Sequence, residues 1–342
     1  MAGDCIRQIP RRGFVLSLAA TILMMAAASA PSLFYPQIAE RLGLIPVATT
    51  LVFAVYTFTL LAALLYLGPL SDHVGRRPVV AAGSLALALS VAMFWFAGSL
   101  AALLVARALQ GLAAGLLIPA LSAMMIDFES PSHRNIAALW NTIGPMIGLG
   151  AGALGAALLL DLTSEPTTAV FGSLVLAFLI VATVVWSTPE LAPKTQIRRG
   201  DLRPRFTVPP HLRRMFTVGV PVIIAGWATN GLFLALGADL VGSELGGSTH
   251  TQAGIVLFAL AISGVTASSV LQRRSARTIS LYATSALAFG TAVSIGALAL
   301  GSYPAYVASV AIVGSGFGTA FLGVLRTLMP HTASSERAAV MA

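Results

Sequence analysis

Uncharged apolar runs alternate with short polar loops along almost the whole chain. Ten such runs fall at roughly 14–35, 46–70, 78–97, 100–125, 136–160, 169–187, 215–238, 251–271, 279–300 and 303–328. A helix needs about 20 apolar residues to cross the hydrocarbon of a bilayer. A membrane strand needs about half that number and alternates in polarity. These runs do not alternate, so each is predicted to be a membrane-crossing helix. The pattern predicts an all-α integral membrane protein with ten visible spans. Pro and Gly recur inside the runs, which membrane helices tolerate where neighbours re-satisfy the backbone.

Composition fits that solvent. Of 342 residues, 57% are hydrophobic and 9% charged; soluble domains carry about 25% charged residues. The net charge of +8 suggests nucleic acid only until the cations are placed. Counting loops alternately from a cytoplasmic N-terminus, the inner segments hold Arg7, Arg11, Arg12, Arg76, Arg77, Arg134, Lys194, Arg198, Arg199, Arg203, Arg205, Arg213, Arg214, Arg273, Arg274, Arg277 and Arg337. The outer loops hold Arg41, beside Glu40, Asp161, Glu165, Asp239 and Glu244. This positive-inside bias predicts the orientation and removes the case for a nucleic-acid partner. The expected location is the cell membrane, multi-pass, or the inner membrane of a Gram-negative source. The lone Cys5 excludes an internal disulfide and cysteine metal clusters. RRGFVLSLAATILMMAAASA would pass alone for a cleavable signal, but nine further spans predict a retained first helix.

The longest inner loop, Thr188 to Met215, carries Pro189, Pro193, Pro204, Pro209 and Pro210 among basic residues. It divides the chain into a six-helix bundle at 1–188, a basic cytoplasmic linker at 189–214 and a second bundle at 215–342. An offset of 203 positions carries Gly111 onto Gly314, Gly115 onto Gly318 and Arg134 onto Arg337. Internal repeats of this kind mark secondary transporters. The second copy stops early, so about 50 residues, two spans' worth, are expected to be missing from its end.

The loop GPLSDHVGRRPVV, after the second run, holds an acid, a His and two Arg at fixed distances. Glycines allow tight turns and close backbones. Asp72, among cations, is expected to pair with Arg76 or Arg77, or with Arg134 across the bundle. Such a pair could latch two bundles and release as they rock; the plain alternative is a turn with basic anchors. Gly68, Asp72, Gly75, Arg76 and Arg77 resemble the loop signature of the major facilitator superfamily, with His73 where that family usually has Arg or Lys. Three further segments agree with the resemblance. RALQGLAAG is similar to its R-x-x-Q-G pattern at Arg107, Gln110 and Gly111. Asp127, Pro131 and Arg134 match its D-x-x-x-P-x-x-R loop. GPMIGLGAGALG resembles its antiporter motif at Gly144, Pro145 and Gly148, with Trp140 in place of an upstream glycine. With YPQIAERLG, the chain resembles the twelve-helix drug:proton antiporter branch. The resemblance implies a two-bundle helical fold, a small-molecule substrate, protons as coupling ion, no cofactor and a monomer.

Gly144, Gly148 and Gly152 are four apart and share a helix face, which suits close packing or gating. Pro145 is expected to bend its span. Arg107 lies roughly 10 Å inside its span, where an arginine costs about 2.5–3.5 kcal/mol on insertion scales. No run holds a carboxylate near its middle. Arg107 is therefore expected to face a cavity or a partner; facing a watery cavity it could tune proton affinity, with Gln110, and the alternative is that it only bonds helix carbonyls and Gln110 and holds its span in place. Met24, Met25, Tyr56, Asn141, Trp227 and Asn230 are expected to line a substrate cavity. The leading expectation is proton-coupled export of small drug-like or amphipathic compounds by alternating access. A sugar or metabolite exporter or uniporter, and a non-transporting sensor or scaffold, are the alternatives. An enzyme is not expected: the five His, at 73, 133, 211, 250 and 331, fall in loops without metal spacing, and no nucleophile–base pair is visible.

Overall fold

The computed structural model describes residues 2–130, 136–191 and 213–328. Every regular element among them is helical. The helices are α1 (Ala2–Ser29), α2 (Tyr35–Leu42), α3 (Pro46–Leu67), α4 (Leu70–Val74), α5 (Arg76–Trp95), α6 (Leu100–Asp127), α7 (Ile136–Leu162), α8 (Ser173–Val184), α9 (Arg213–Ser243), α10 (His250–Leu271), α11 (Ala276–Ala299) and α12 (Tyr303–Leu328). Among the described residues, ten segments are long and apolar enough to cross a membrane, in the places the apolar pattern predicts. Most of the linker, with Pro131, Arg134 and Arg337, lies outside the described residues.

Local chemistry sets the boundaries. The first span runs further than its apolar core, from Arg11 to Leu42. A 3-10 turn at Ala30–Phe34, with Pro31 in its first turn, joins α1 to the amphipathic α2. Gly43, at φ 62°, ends α2 in the left-handed conformation that glycine favours. Pro46 opens α3 with its φ already set for a helix. Ser99 caps α6 by accepting from Ala102 N–H at 3.2 Å, and Ser275 caps α11 by accepting from Thr278 N–H at 3.2 Å.

Small residues let the helices approach. A Cβ on Gly111 would lie 2.4 Å from the Tyr56 carbonyl oxygen, and one on Gly115 would lie 2.6 Å from that of Leu60. So α6 rests on the backbone of α3. In the last four spans, a Cβ on Gly314 would lie 2.0 Å from the Leu260 oxygen, and one on Gly318 would lie 2.4 Å from that of Gly264. There α12 rests on α10 in the same way, so the glycine repeat seen in the sequence is repeated in packing. The core lies along α1, α5, α6, α7 and α12. α3 turns Leu51, Phe58, Leu61 and Leu65 outward, as a lipid-facing helix must.

Candidate functional site

The Gly68–Val80 stretch is more ordered than a loop. Gly68 still donates to the Leu64 carbonyl at 3.2 Å, α4 forms a single turn, and Gly75 swings the chain into α5. Gly75 has φ 107° and ψ 156°, which side chains rarely adopt, and a Cβ there would lie 2.8 Å from Glu190 Oε2. Glu190 comes from the segment after α8. Its two oxygens accept from Arg76 N–H at 3.0 Å and Arg77 N–H at 2.9 Å. A carboxylate there satisfies two orphan donors and meets the positive end of the helix dipole.

The side chains of the same residues tie together α4, α5, α6 and the end of α8. Arg76 donates to Asp72, to Asp127 Oδ2 at 3.2 Å and to Ser71 Oγ at 2.7 Å. Arg77 donates to the Trp186 carbonyl and lies over its ring at 5.6 Å. His73 Nδ1 lies 3.0 Å from the Pro69 carbonyl oxygen, so the departure from the usual basic residue is absorbed locally. Asp72 thus pairs with Arg76, as expected. These bonds join α4, α5, α6 and the end of α8, all within the first six spans. A pair with Arg134 lies outside the described residues.

Arg107 faces partners rather than solvent: its residue is 1% exposed. Its guanidinium carbon lies over the rings of Phe94 at 4.9 Å, Phe53 at 5.3 Å, Tyr35 at 5.4 Å and Tyr56 at 5.5 Å. Nε donates to the Tyr35 hydroxyl at 2.7 Å and Nη1 to Gln110 Oε1 at 2.5 Å. Gln110 in turn donates to the Ala27 carbonyl at 2.8 Å, tying α6 to α1. Arg107 Nη2 has no hydrogen-bond partner among the described residues. A desolvated cation over an aromatic face gains about 2 kcal/mol, and a hydrogen bond to a charged group about 1.5–3 kcal/mol. Together these match the insertion cost, so no carboxylate is needed.

The glycine face of α7 is a packing face. A Cβ on Gly144 would lie 3.0 Å from Leu18 Cδ1, and one on Gly148 would lie 2.4 Å from the Ile22 oxygen of α1. Ser29 Oγ, at the end of α1, donates to the Leu149 carbonyl at 2.8 Å. Pro145 sits within continuous α7. The six expected cavity residues sit in different surroundings. Met24, Met25 and Asn230 are buried, and Tyr56 belongs to the Arg107 cage. Asn141 reaches the Ser122 carbonyl at 3.5 Å. Trp227 is 54% exposed and meets Phe317 edge-on at 5.3 Å. Neither the groove of about 680 Å³ beside Arg11 nor the pocket of about 130 Å³ beside Phe34 includes any of the six.

Residues that the sequence pattern did not single out hold the two groups of spans together. Asp161, at the end of α7, accepts from the His250 and Thr251 backbone N–H groups at 3.1 and 2.7 Å. It also meets His250 Nδ1 at 2.8 Å and the Thr251 hydroxyl at 2.6 Å. Asp161 therefore caps α10 from α7. His250 Nε2 then lies 3.2 Å from Gln37 Nε2 on α2. This cluster sits at the opposite end of α7 from the Asp72–Arg76–Asp127 network. Deeper in the bundle, a Cβ on Gly254 would lie 2.5 Å from Ala157 Cβ, and one on Gly150 would lie 2.7 Å from Ala261 Cβ, so α7 and α10 are in close contact below the cap.

Comparison with known proteins follows the same lines. The family model described as Major Facilitator Superfamily matches residues 16–342. The puromycin resistance protein pur8 of Streptomyces alboniger is 32% identical over 152 residues, 42% of this chain and 30% of that protein. The multidrug efflux pump LfrA of Mycolicibacterium smegmatis is 34% identical over 143 residues, 38% of this chain and 28% of that protein. The matches thus span under a third of these relatives' length. The inward-facing, occupied structure of a bacterial homolog to the human lysosomal transporter Spinster superposes with a TM-score of 0.71. It covers 97% of this chain and 77% of its own at 13% identity, a likeness of fold alone.

Proposed function

The chain belongs to the major facilitator superfamily, and from that premise we propose that it is a secondary active transporter exporting small drug-like or amphipathic compounds in exchange for protons. The observation that carries this reading is the seam at Asp161. Among the described residues, hydrogen bonds between the first six spans and the last four gather at Asp161, His250, Thr251 and Gln37. A seam concentrated at one end of the bundle suits alternating access, in which two bundles rock about a site between them. The positive-inside bias makes the Asp161 end the outer one and the N-terminus cytoplasmic.

The substrate class rests on the printed names of the relatives, a puromycin resistance protein and a multidrug efflux pump. Proton coupling is assigned to Arg107 with Gln110. The guanidinium is the mid-span charge of the described spans, and its buried Nη2 has no hydrogen-bond partner among the described residues, which leaves one donor for an acceptor that arrives as the spans move. Asp72 then acts by positioning Arg76 as the inner ends part and rejoin. An exposed ion pair of this type stabilises by only about 0–1 kcal/mol, so stability alone does not account for it. The test is a growth-inhibition panel in an efflux-deficient host. Expression should raise tolerance to at least one drug-like compound, and Asp72→Asn should remove that gain at equal membrane abundance. Unchanged tolerance across the panel would reject drug export.

A further inference from the structure

The seam between the two groups of spans contains a titratable ring. His250 opens α10 and meets both α7 and α2. Its Nδ1 lies 2.8 Å from Asp161 Oδ1, and its Nε2 lies 3.2 Å from Gln37 Nε2. An amide nitrogen only donates, so Nε2 accepts from Gln37 and Nδ1–H donates to Asp161. Both ring nitrogens are thus committed across the seam, yet the side chain keeps 43% of its surface exposed. The surroundings favour a cation. α7 brings Asp161, with Glu165 just after it; α9 brings Asp239, with Glu244 just after it; α2 brings Glu40 and Arg41. Five acids therefore stand at this end against one arginine, whose Nη2 donates to the Ala97 carbonyl at 2.9 Å. From α12, the Tyr303 hydroxyl donates to the Gln252 carbonyl at 2.9 Å. Among the described residues, Asp161 is the acid within ion-pair reach of His250.

We propose that His250 is an outer proton-binding site whose occupancy sets how firmly the two groups of spans are held together at that end. The outer placement and the gating role rest on the transport reading above; the contact with Asp161 and Gln37 does not. One proton from the outer water adds to Nε2. The imidazolium then donates from both nitrogens, from Nδ1 to Asp161 as before and from Nε2 to the Gln37 amide oxygen after a half-turn of that amide. No bond across the seam is lost, and the Asp161 contact becomes an ion pair as well as a hydrogen bond. Since the charged ring gains more from Asp161 when the ends are together than when they are apart, protonation favours the closed outer end. Histidine changes charge between about pH 5 and 8, so acid outside tightens the seam and alkali loosens it. An exposed pair of this kind shifts such an equilibrium by up to about five-fold. In a proton-driven exporter this speeds closure of the outer end when the outer side is acidic, which is when the gradient exists. His250 faces the outer side in the closed form, so the proton it binds is a signal and not the transported one.

The test measures a distance in the purified full chain, so its outcome is separate from that of drug export. Spin labels are placed at Thr163→Cys and Ser248→Cys, with Cys5→Ser, and the inter-label distance is followed from about pH 5 to about pH 8. Acid should enrich the short, narrow population by up to about five-fold over the long one. His250→Gln keeps a side-chain amide at the seam but cannot titrate, and its distribution should be the same at both ends of the range. Gln37→Glu puts a second carboxylate against Nε2 and should raise the midpoint of the transition by about one pH unit, a change that a merely structural Gln37 would not produce. Should His250→Gln not fold, Gln37→Glu decides alone. The proposal is overturned if the wild-type distance ignores pH, if His250→Gln keeps the wild-type response, or if Gln37→Glu leaves the midpoint where it was.

Discussion

Arg107 shows how one residue carries a cost and how the fold offsets it. An isolated arginine at that depth is unfavourable, yet four rings and two hydrogen-bonded partners surround it. Tyr35→Phe keeps the ring and removes the hydroxyl acceptor. We expect a destabilisation of about 1.5–3 kcal/mol, seen as a lower thermal midpoint in detergent; an unchanged midpoint would mean that the rings alone suffice. Arg107→Gln should flatten the pH dependence of transport in reconstituted vesicles, and a wild-type profile would make Arg107 a brace only. Gly75 makes a further test. Gly75→Ala places a methyl group against Glu190 on a backbone foreign to alanine, which costs about 1–3 kcal/mol. Should Gly75→Ala unfold at the wild-type temperature, the Glu190 cap is not as tight as its geometry says. The type and spacing of Asp72, Gly75, Arg76, Arg107 and Gln110 were legible in the sequence, and Arg76 was one of three partners left open for Asp72, beside Arg77 and Arg134. The partners Glu190 and Tyr35 were not. Arg76 and Glu190 are 114 positions apart, and Arg107 and Tyr35 are 72 apart. No local pattern joins such residues; only the packing of α5, α6 and the first span does.

At the scale of elements, the ten spans were legible because a bilayer imposes one length and one polarity on each. What the pattern misjudged was continuity. α2 extends the first span beyond its apolar core because it is amphipathic, and a 3-10 turn bridges the proline. The glycine repeat was also legible, but not what it rests against. Gly314 lies so near the Leu260 carbonyl that no side-chain motion can make room. Gly314→Val should therefore abolish a folded, monodisperse product. Gly155→Val is the control, since a Cβ at Gly155 has nothing within 4 Å. Equal yield and size-exclusion behaviour of the two variants would reject the α10–α12 contact as described. The face of Gly144 and Gly148, equally consistent with gating and packing in the sequence, packs on α1 because Ile22 and Leu18 come up against it.

For the whole molecule, the decisive feature is where its two groups of spans are joined. The sequence marked Asp161 only as an acid at a span end, because its value as a cap depends on α10 starting 89 positions later. Asp161→Asn removes the charge that faces the α10 N-terminus. Spin labels at Thr163→Cys and Ser248→Cys, with Cys5→Ser, should then report a broader and longer distance than in the otherwise wild-type chain; identical distributions would show that Asp161 does not hold that end. The central claim, export driven by a proton gradient, is tested most directly by flux. Sealed everted vesicles containing the protein are given an acid interior, and a fluorescent drug-like probe is followed as it accumulates. The account predicts accumulation above that of empty vesicles, collapse on addition of a protonophore, and a much lower rate with Asp72→Asn. Accumulation that ignores the gradient, or that equals empty vesicles for every probe that supports growth tolerance, would contradict it.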